Sequence, residues 1–420
     1  MVRIVILVIF IGGATLLFFT NSKKTQAATK RTSVDSASVL SEVKINVTKL
    51  DDPKWDELLA QYEGFIQQSI DNGLAPGAAA VIIKDSSIVF LKGFGHRNTT
   101  TKDPVDENTV FRLGSVSKCF ASVLSGMLVQ ENVFNWDDRI VRYLPRFALK
   151  TKEQTEGVSL RHILSHTTGL PYHAFTNLVE EGNSLDTMVY HLRELDLLGK
   201  PGELYSYQNV AYSIIGQVIQ SATGKTYEAM MQEKIFTPLH MTHASLNYQA
   251  IRHEKNMALP HRHTAQGWIT SALSPTYYNV GPAGGINASI SDMGLFLTSL
   301  TRDQNPLLDS LTRQQIFHPF VKASAKNRHF YSWKRPTSAY YGMGWRIINF
   351  KDDVVYYHGG YVNGFRSEIA IHPKEHIAIC VLVNSTGPLA DQAIPEFFKK
   401  YDQVLMTTSK SFQAPRPPAP

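Results

Sequence analysis

Residues 111–128 read FRLGSVSKCFASVLSGML. Ser115 and Lys118 stand three apart in this stretch, where a glycine-containing loop gives way to an apolar run. Phe120, Val123, Leu124, Met127 and Leu128 recur at three- and four-residue spacing, the pattern of a helix with a buried face. Residues i and i+3 share a helix face, so the Lys118 amine falls within reach of the Ser115 hydroxyl. A serine hydroxyl is a weak nucleophile until a base takes its proton, and a lysine serves as that base only when burial or nearby cations lower its pKa. The helix N-terminus also directs backbone N–H groups at any oxyanion formed beside it. The motif is short enough to arise by chance, and Ser41-Glu42-Val43-Lys44 is a second match. No apolar helix follows that one, so Ser115 and Lys118 carry the reading.

Upstream, Trp55, Leu58, Leu59, Tyr62, Phe65, Ile66 and Ile70 recur at helical spacing, and Asn72-Gly73 provides a stop. GAAAVIIKDSSIVFLKGFGHRN (77–98) then reads as two β-rich runs around a polar turn. A long, mostly helical stretch follows, including 118–130 and 211–222. Past residue 340 come four strand-like runs: YGMGWRIINF (341–350), VVYYHGG (354–360), FRSEIAIHP (365–373) and HIAICVLVNS (376–385). Lys351-Asp352-Asp353, Asn363-Gly364 and Pro373-Lys374-Glu375 part them, and a helix over 389–406 closes the body. Ser289 and Asp292 have the spacing of a capping box at another helix start. Strands near both ends with helices between predict an α+β fold. In it an antiparallel sheet is flanked by N- and C-terminal helices and a mostly helical subdomain is inserted. The sheet part is expected at 51–112 and 285–406, the helical part at 113–284, and the site in the cleft between them.

At 420 residues, 43% hydrophobic and 19% charged, the composition is that of a globular protein. The net charge is +6, and Arg3, Lys23 and Lys24 supply three of those charges with no acid before residue 28. No basic stripe interleaved with aromatics occurs, which argues against nucleic acid as a partner. Residues 4–19, IVILVIFIGGATLLFF, are uncharged and follow Arg3, so 1–27 reads as an export signal with Ala27 or Ala28 at the cleavage point, or as an uncleaved membrane anchor. Both place the folded body outside the cytosol, in the periplasm or cell envelope. Residues 28–50 read as a linker, 51–406 as the folded body and 407–420 as an unpacked tail. Cys119 and Cys380 are the two cysteines; this excludes a disulfide scaffold and a cysteine-built zinc site, and two buried free thiols are expected.

With these residues in view, the chain over about 52–400 resembles the serine β-lactamase and penicillin-binding-protein superfamily, in the branch of class C β-lactamases, D-Ala-D-Ala carboxypeptidases, D-aminopeptidases and related esterases. The resemblance rests on SVSK (115–118), LRHILSHTTGLP (160–171), PGELYSYQNVAYSIIGQVIQSATGKTY (201–227), IFTPLHM (235–241), GPAGGINASISDMGLF (281–296) and YYHGGYVNGFRSEIAI (356–371), in the family's order. It implies that Ser115 is the nucleophile and that Lys118 with Tyr207 moves its proton, either of the two serving as the general base. The family's Tyr-x-Asn element has three matches here, beginning at Tyr207, Tyr277 and Tyr361. The first stands between a Pro-Gly turn and an apolar helix. By resemblance Tyr207 would then relay the proton among Ser115, Lys118 and the leaving group, and Asn209 would hold Lys118 and the substrate amide.

The family's third element, Lys-Thr-Gly in many members, looks here like His358-Gly359-Gly360. Glycines on an edge strand let a substrate backbone approach and add to the sheet. By the same resemblance, the N–H groups of Ser115 and Tyr361 would form the oxyanion hole. Relatives with a histidine there tend to be peptidases and esterase-like hydrolases rather than efficient class C β-lactamases, so the resemblance implies the former; a neutral imidazole also anchors a substrate carboxylate less firmly. The implied substrates are D-amino-acid peptides of cell-wall type such as peptidoglycan fragments, then small esters or amides, with β-lactams as acylating ligands. A non-catalytic envelope protein on the same fold is the contrasting class. No cofactor is called for. His162 and His166 have a metal-binding spacing, but no glutamate follows His162 and no third ligand is apparent. His253, His261 and His263 are read as a solvated loop cluster. G-x-S-x-G is absent, which argues against an α/β-hydrolase.

Overall fold

The structure, a computed structural model, describes residues 45–302, 304–323 and 328–406. The leader or anchor, the linker as far as residue 44 with its Ser41–Lys44 pair, and the tail lie outside the described residues. Among the described residues nine strands form one antiparallel sheet: β1 Gly77–Lys84, β2 Ser87–Asn98, β3 Asp103–Pro104, β4 Val321–Ala323, β5 Ser338–Tyr341, β6 Arg346–Asn349, β7 Val354–Val362, β8 Phe365–His372 and β9 Ile377–Val383. Their order across the sheet is β3-β2-β1-β9-β8-β7-β6-β5-β4. Strands from the two ends of the body therefore meet along β1 and β9, with Val81 opposite Cys380. The long helices are α1 Pro53–Asp71, α2 Ser117–Gln130, α3 Asn209–Thr223, α4 Ile290–Thr301 and α5 Pro388–Tyr401. This is the expected α+β arrangement.

Both faces of the sheet are covered, and the two-residue period of a strand divides the core. Ala79, Val81 and Ile83 of β1, with Ala378, Cys380 and Leu382 of β9, join the core shared with α2, α3 and α4. Their alternates Ala78, Ala80 and Ile82, with Ile377, Ile379 and Val381, pack against α1 and α5. A strand buried on both faces is why these segments read as nearly continuous apolar runs. The β1–β2 hairpin turns at Asp85 and Ser86, with φ of 48° and 63°. Positive φ at both turn positions suits the right-handed twist of the flanking strands.

Helix α1 starts where Asp52 accepts the Lys54 N–H at 2.9 Å, with Pro53 at the first helical position, where its missing N–H costs nothing. Its Trp55, Leu58, Tyr62 and Ile66 are buried, and the Tyr62 hydroxyl donates to the Ala393 carbonyl of α5 at 3.1 Å. On the other face α2 is buried along most of its length, and Phe120 stacks on Phe296 of α4 at 3.7 Å. Each such buried side chain contributes about 1.5–3 kcal/mol.

Two expectations are corrected. The run 341–350 is not one strand: residues 342–345 form a turn between β5 and β6, where Gly344 has φ +76°. A Cβ on Gly344 would stand 2.6 Å from the Lys118 carbonyl oxygen, so the chain must turn here to pass α2. The closing helix is α only to Tyr401 and continues as a π turn over Asp402–Met406. Cys119 and Cys380 are buried free thiols.

Candidate active site

Ser115 occupies a single 3-10 turn, Gly114–Val116, that runs directly into α2. Gly114 has φ +51°, and a Cβ there would lie 2.8 Å from the Tyr361 backbone, so glycine lets the turn sit against β7. One helical turn on, Lys118 is fully buried. Its Nζ lies 2.8 Å from Asn209 Oδ1, 2.8 Å from the Ala283 carbonyl oxygen and 3.3 Å from Ser115 Oγ. Asn209 is the first residue of α3, and Tyr207, just before that helix, donates its hydroxyl to Ser115 Oγ at 2.8 Å. Four side chains from two helix N-termini and their flanking turns thus converge on one point.

The electrostatics favour a neutral amine. Burial holds the Lys118 pKa well below the ordinary lysine value; Cys119 opposes this and Arg346 adds to it. An uncharged amine has two N–H bonds and one lone pair. Asn209 Oδ1 and the Ala283 carbonyl take the two hydrogens, leaving the lone pair for the Ser115 O–H. Lys118 Nζ also lies 4.7 Å from the centre of the Tyr207 ring. Burial raises the Tyr207 pKa far above the usual phenol value, so at neutral pH the hydroxyl stays protonated and donates to Ser115.

The site lines a cavity of about 460 Å³ whose walls include Ser115, Tyr207, Asn209, Gly359, Gly360 and Tyr361. Gly360 packs against the Leu113–Ser115 backbone: a Cβ on it would collide with the Leu113 carbonyl oxygen and lie 3.1 Å from Ser115 N. The Tyr361 side chain is 59% exposed at the mouth. The edge-strand expectation holds for half of β7. Residues 354–357 pair with β6, whereas His358–Val362 have a strand neighbour only in β8.

His358 departs from its expected part. Its ring is buried, Nδ1 lies 2.9 Å from the Gly359 carbonyl oxygen and Nε2 lies 3.0 Å from the Tyr341 hydroxyl. Nδ1 therefore donates and Nε2 accepts, which uses both nitrogens within the protein. Burial, with Arg346 and Lys118 nearby, holds its pKa well below the usual imidazole range. The ring is thus neutral with both nitrogens engaged within the protein, and it is not among the residues that line the cavity.

Two cations line the cavity, Arg346 and Arg366, and the sequence reading missed both; Tyr277 and His173 also line it. The one signal for Arg346 was an arginine between apolar residues in GWRII, with no acidic residue near it in sequence. The other Tyr-x-Asn matches have structural parts. Asn279 donates to the Val179 and Asn183 carbonyls, and Asn363 Oδ1 accepts from Arg112.

His162 Nδ1 accepts the Ser159 N–H at its own helix start, and His166 Nδ1 accepts the Gln208 N–H with its ring 4.2 Å from that of Tyr207. Among the described residues no group of three His, Cys, Asp or Glu side chains is arranged to hold a metal. His253 and His263 are exposed, but His261 is buried. Its Nδ1 lies 3.3 Å from the Asn384 carbonyl oxygen and its Nε2 accepts the Thr99 N–H at 3.2 Å, so it joins two loops rather than meeting water.

The beta-lactamase family profile matches residues 63–398. The chain belongs to the beta-lactamase family. Among curated relatives, this family member is similar to protein flp of Staphylococcus aureus (strain NCTC 8325 / PS 47), 25% identical over 77% of this chain and 62% of flp. It is also similar to unguisins hydrolase ungD' of Aspergillus campestris (strain IBT 28561), 24% identical over 79% of this chain and 62% of that protein. The chain thus spans less than two thirds of the length of these relatives. Among solved structures, the octameric penicillin-binding protein homologue from Pyrococcus abyssi superposes with a TM-score of 0.69, at 23% identity over 83% of this chain and 77% of that one. EstCE1, a hydrolase with promiscuous acyltransferase activity, superposes at 0.67 with 18% identity, over 84% and 99% of the two chains. Both superpositions show the shared fold of this beta-lactamase family chain.

Proposed function

We propose that this beta-lactamase family protein is an exported serine hydrolase that cleaves an amide or ester through an acyl-enzyme. The observation that carries the reading is Ser115 Oγ held between a buried, charge-disfavoured lysine at 3.3 Å and a protonated phenol at 2.8 Å. In the acylation step Ser115 Oγ attacks the substrate carbonyl carbon while its proton passes to Lys118 Nζ. The N–H groups of Ser115 and Tyr361 receive the oxyanion; one such donor supplies about 3–4 kcal/mol of transition-state stabilisation. The carbonyl–heteroatom bond then breaks, and the proton reaches the leaving group from Lys118 by way of the Tyr207 hydroxyl. Water attacks the acyl ester by the reverse proton route, releasing the acid and restoring the serine hydroxyl.

The proposed substrate class is short D-amino-acid peptides of cell-wall type, peptidoglycan fragments included. Esters come next, and β-lactams act as slow substrates or acylating ligands. The open half of β7, able to pair with an extended chain, favours a peptide. Export rests on residues 1–27, either cleaved or kept as an anchor; among the described residues no helix is long and apolar enough to cross a membrane.

The test is stoichiometric labelling by a fluorophosphonate or fluorescent penicillin, lost in Ser115→Ala. Alongside it, turnover of a D-Ala-D-Ala peptide, nitrocefin and p-nitrophenyl butyrate is compared. A wild type that resists both labels sinks the hydrolase reading in favour of a non-catalytic envelope protein. Turnover confined to the ester displaces the peptidase preference.

A further inference from the structure

Arg112 ends the short strand Val110–Arg112, three residues before Ser115, and lies opposite Asn287 in the pairing with Asn287–Ser289. Its side chain is 1% exposed. One terminal nitrogen, Nη1, donates to the Ser274 carbonyl at 2.9 Å and to Asn363 Oδ1 at 3.1 Å, and Nη2 donates to the Thr276 carbonyl at 2.6 Å. The guanidinium carbon stands 4.5 Å from the centre of the Tyr278 ring. Asn363 Oδ1 also accepts the Thr276 hydroxyl at 3.2 Å. One guanidinium therefore joins three segments distant in sequence: the run into Ser115, the loop 274–278 and the turn at Asn363-Gly364 between β7 and β8.

Each of those segments leads into the site. Tyr361, two residues before Asn363, supplies the second oxyanion N–H of the hydrolase reading. Tyr277 lines the cavity, and the chain beyond it reaches Ala283, whose carbonyl accepts from Lys118. From His358 onward β7 has a strand neighbour only in β8, and a strand end paired on one side frays. The Ser367 hydroxyl ties β8 to the Leu113 carbonyl, and Arg112 makes the corresponding tie at the end of β7. As packing alone this arrangement is costly. Burial lowers the Arg112 pKa, and the groups that oppose it are the phenols of Tyr278, Tyr248 and Tyr277, with no carboxylate among them. Its Nε is buried without a partner. An apolar side chain would fill such a position at less cost, and departures of this kind collect at functional sites.

We infer that Arg112 is a positioning residue: it fixes the end of β7 that carries the Tyr361 N–H, and the 274–278 loop, relative to Ser115, so that the oxyanion donors stand where charge develops. The inference rests on the hydrolase reading and deepens it. Neither Arg112 nor Asn363 is among the residues that line the cavity. Their effect on the reaction therefore passes through the backbone they hold. Donors aimed at the transition-state oxygen act only when preorganised, so a displaced strand end slows the chemistry and leaves ground-state binding in place.

Two variants test the proposal. Asn363→Gly removes the acceptor and suits the φ of 42° at that position. Arg112→Gln removes the charge and the donor fork. Active sites are counted by fluorophosphonate titration, so misfolded protein does not enter the rate. On whichever of the three substrates the wild type turns over, kcat and kcat/KM should fall by the same factor, about 10-fold or more, a part of the roughly 10²–10³-fold that loss of a whole oxyanion donor costs. A boronic acid, whose serine adduct fills the oxyanion position, should bind more weakly by that factor, while binding of the substrate to Ser115→Ala protein should not change. The double variant should lose no more than the worse single one, because both break one contact. Arg112→Lys should recover part of the rate lost in Arg112→Gln. An unchanged kcat per site in both variants, additive losses, or a loss confined to KM overturns the assignment. If Arg112→Gln does not fold, Asn363→Gly decides. If wild type is inert to fluorophosphonate, the hydrolase reading fails separately and hydrogen exchange decides the tie: Asn363→Gly should speed exchange in 274–280 as well as in 359–366, and unchanged exchange in 274–280 overturns it.

Discussion

Replacing Lys118 by methionine removes the buried amine while keeping side-chain length and apolar bulk, and its consequence is read most directly as a pH effect on stability. In the unfolded chain this lysine titrates near 10.5, whereas burial holds its folded pKa well below that. Between the two values the unfolded state carries one proton that the native state lacks. Stability therefore rises with pH across that window, by about 1.4 kcal/mol per unit for one group. The methionine variant lacks this contribution. The unfolding free-energy difference, wild type minus variant, should therefore climb with pH below about 10.5, at up to about 1.4 kcal/mol per unit.

Burial lowers the pKa of His166 and His358 and raises that of Cys119 and Tyr207. Titrations of groups that do not feel Lys118 are common to both proteins and cancel in the difference. Urea unfolding of both proteins at half-unit pH steps supplies the measurement. A difference independent of pH would mean that Lys118 keeps its proton in the folded protein, and the general-base assignment would fall with it. The same variant should slow fluorophosphonate labelling by roughly 10²–10⁴-fold. The wild-type labelling rate should fall on the acid side as Lys118 becomes protonated.

Four further outcomes are expected. Tyr207→Phe removes the donor to Ser115 without opening a cavity, and should lower kcat by about 10²-fold or more in stopped assays while the melting temperature stays within a few degrees. His358→Ala strips Tyr341 of its partner, so denaturant unfolding should report a loss of about 1–3 kcal/mol; a selective rise in KM for anionic substrates with unchanged stability would restore His358 as an anchor. Gly360→Ala places a methyl group on the Leu113 carbonyl oxygen and should abolish labelling at Ser115, as read on a gel. Cys119 and Cys380 should resist a chromogenic thiol reagent in the native protein and react as two equivalents in denaturant; rapid native reaction would contradict their burial.

What the sequence determined by itself was set by short-range rules. Ser115 and Lys118 share a helix face because a helix has a fixed pitch, and α1, α2 and α3 announced themselves through apolar spacing that one buried face requires. The β1–β2 hairpin and the runs of β8 and β9 were legible because strands covered on both sides must be apolar throughout. Tyr207 and Asn209 were chosen among three matches by the helix that follows them. The tertiary structure alone decided the charges. Whether His358 faces the substrate or the Tyr341 hydroxyl depends on how β5, β6 and β7 pair, and whether His261 is solvated depends on the loop carrying Asn384. Arg346 appears as a cavity residue beside the Tyr207 and Tyr341 rings only once β6 and β7 are paired in space. Burial and proximity of this kind are sums over residues distant along the chain, so no local pattern encodes them.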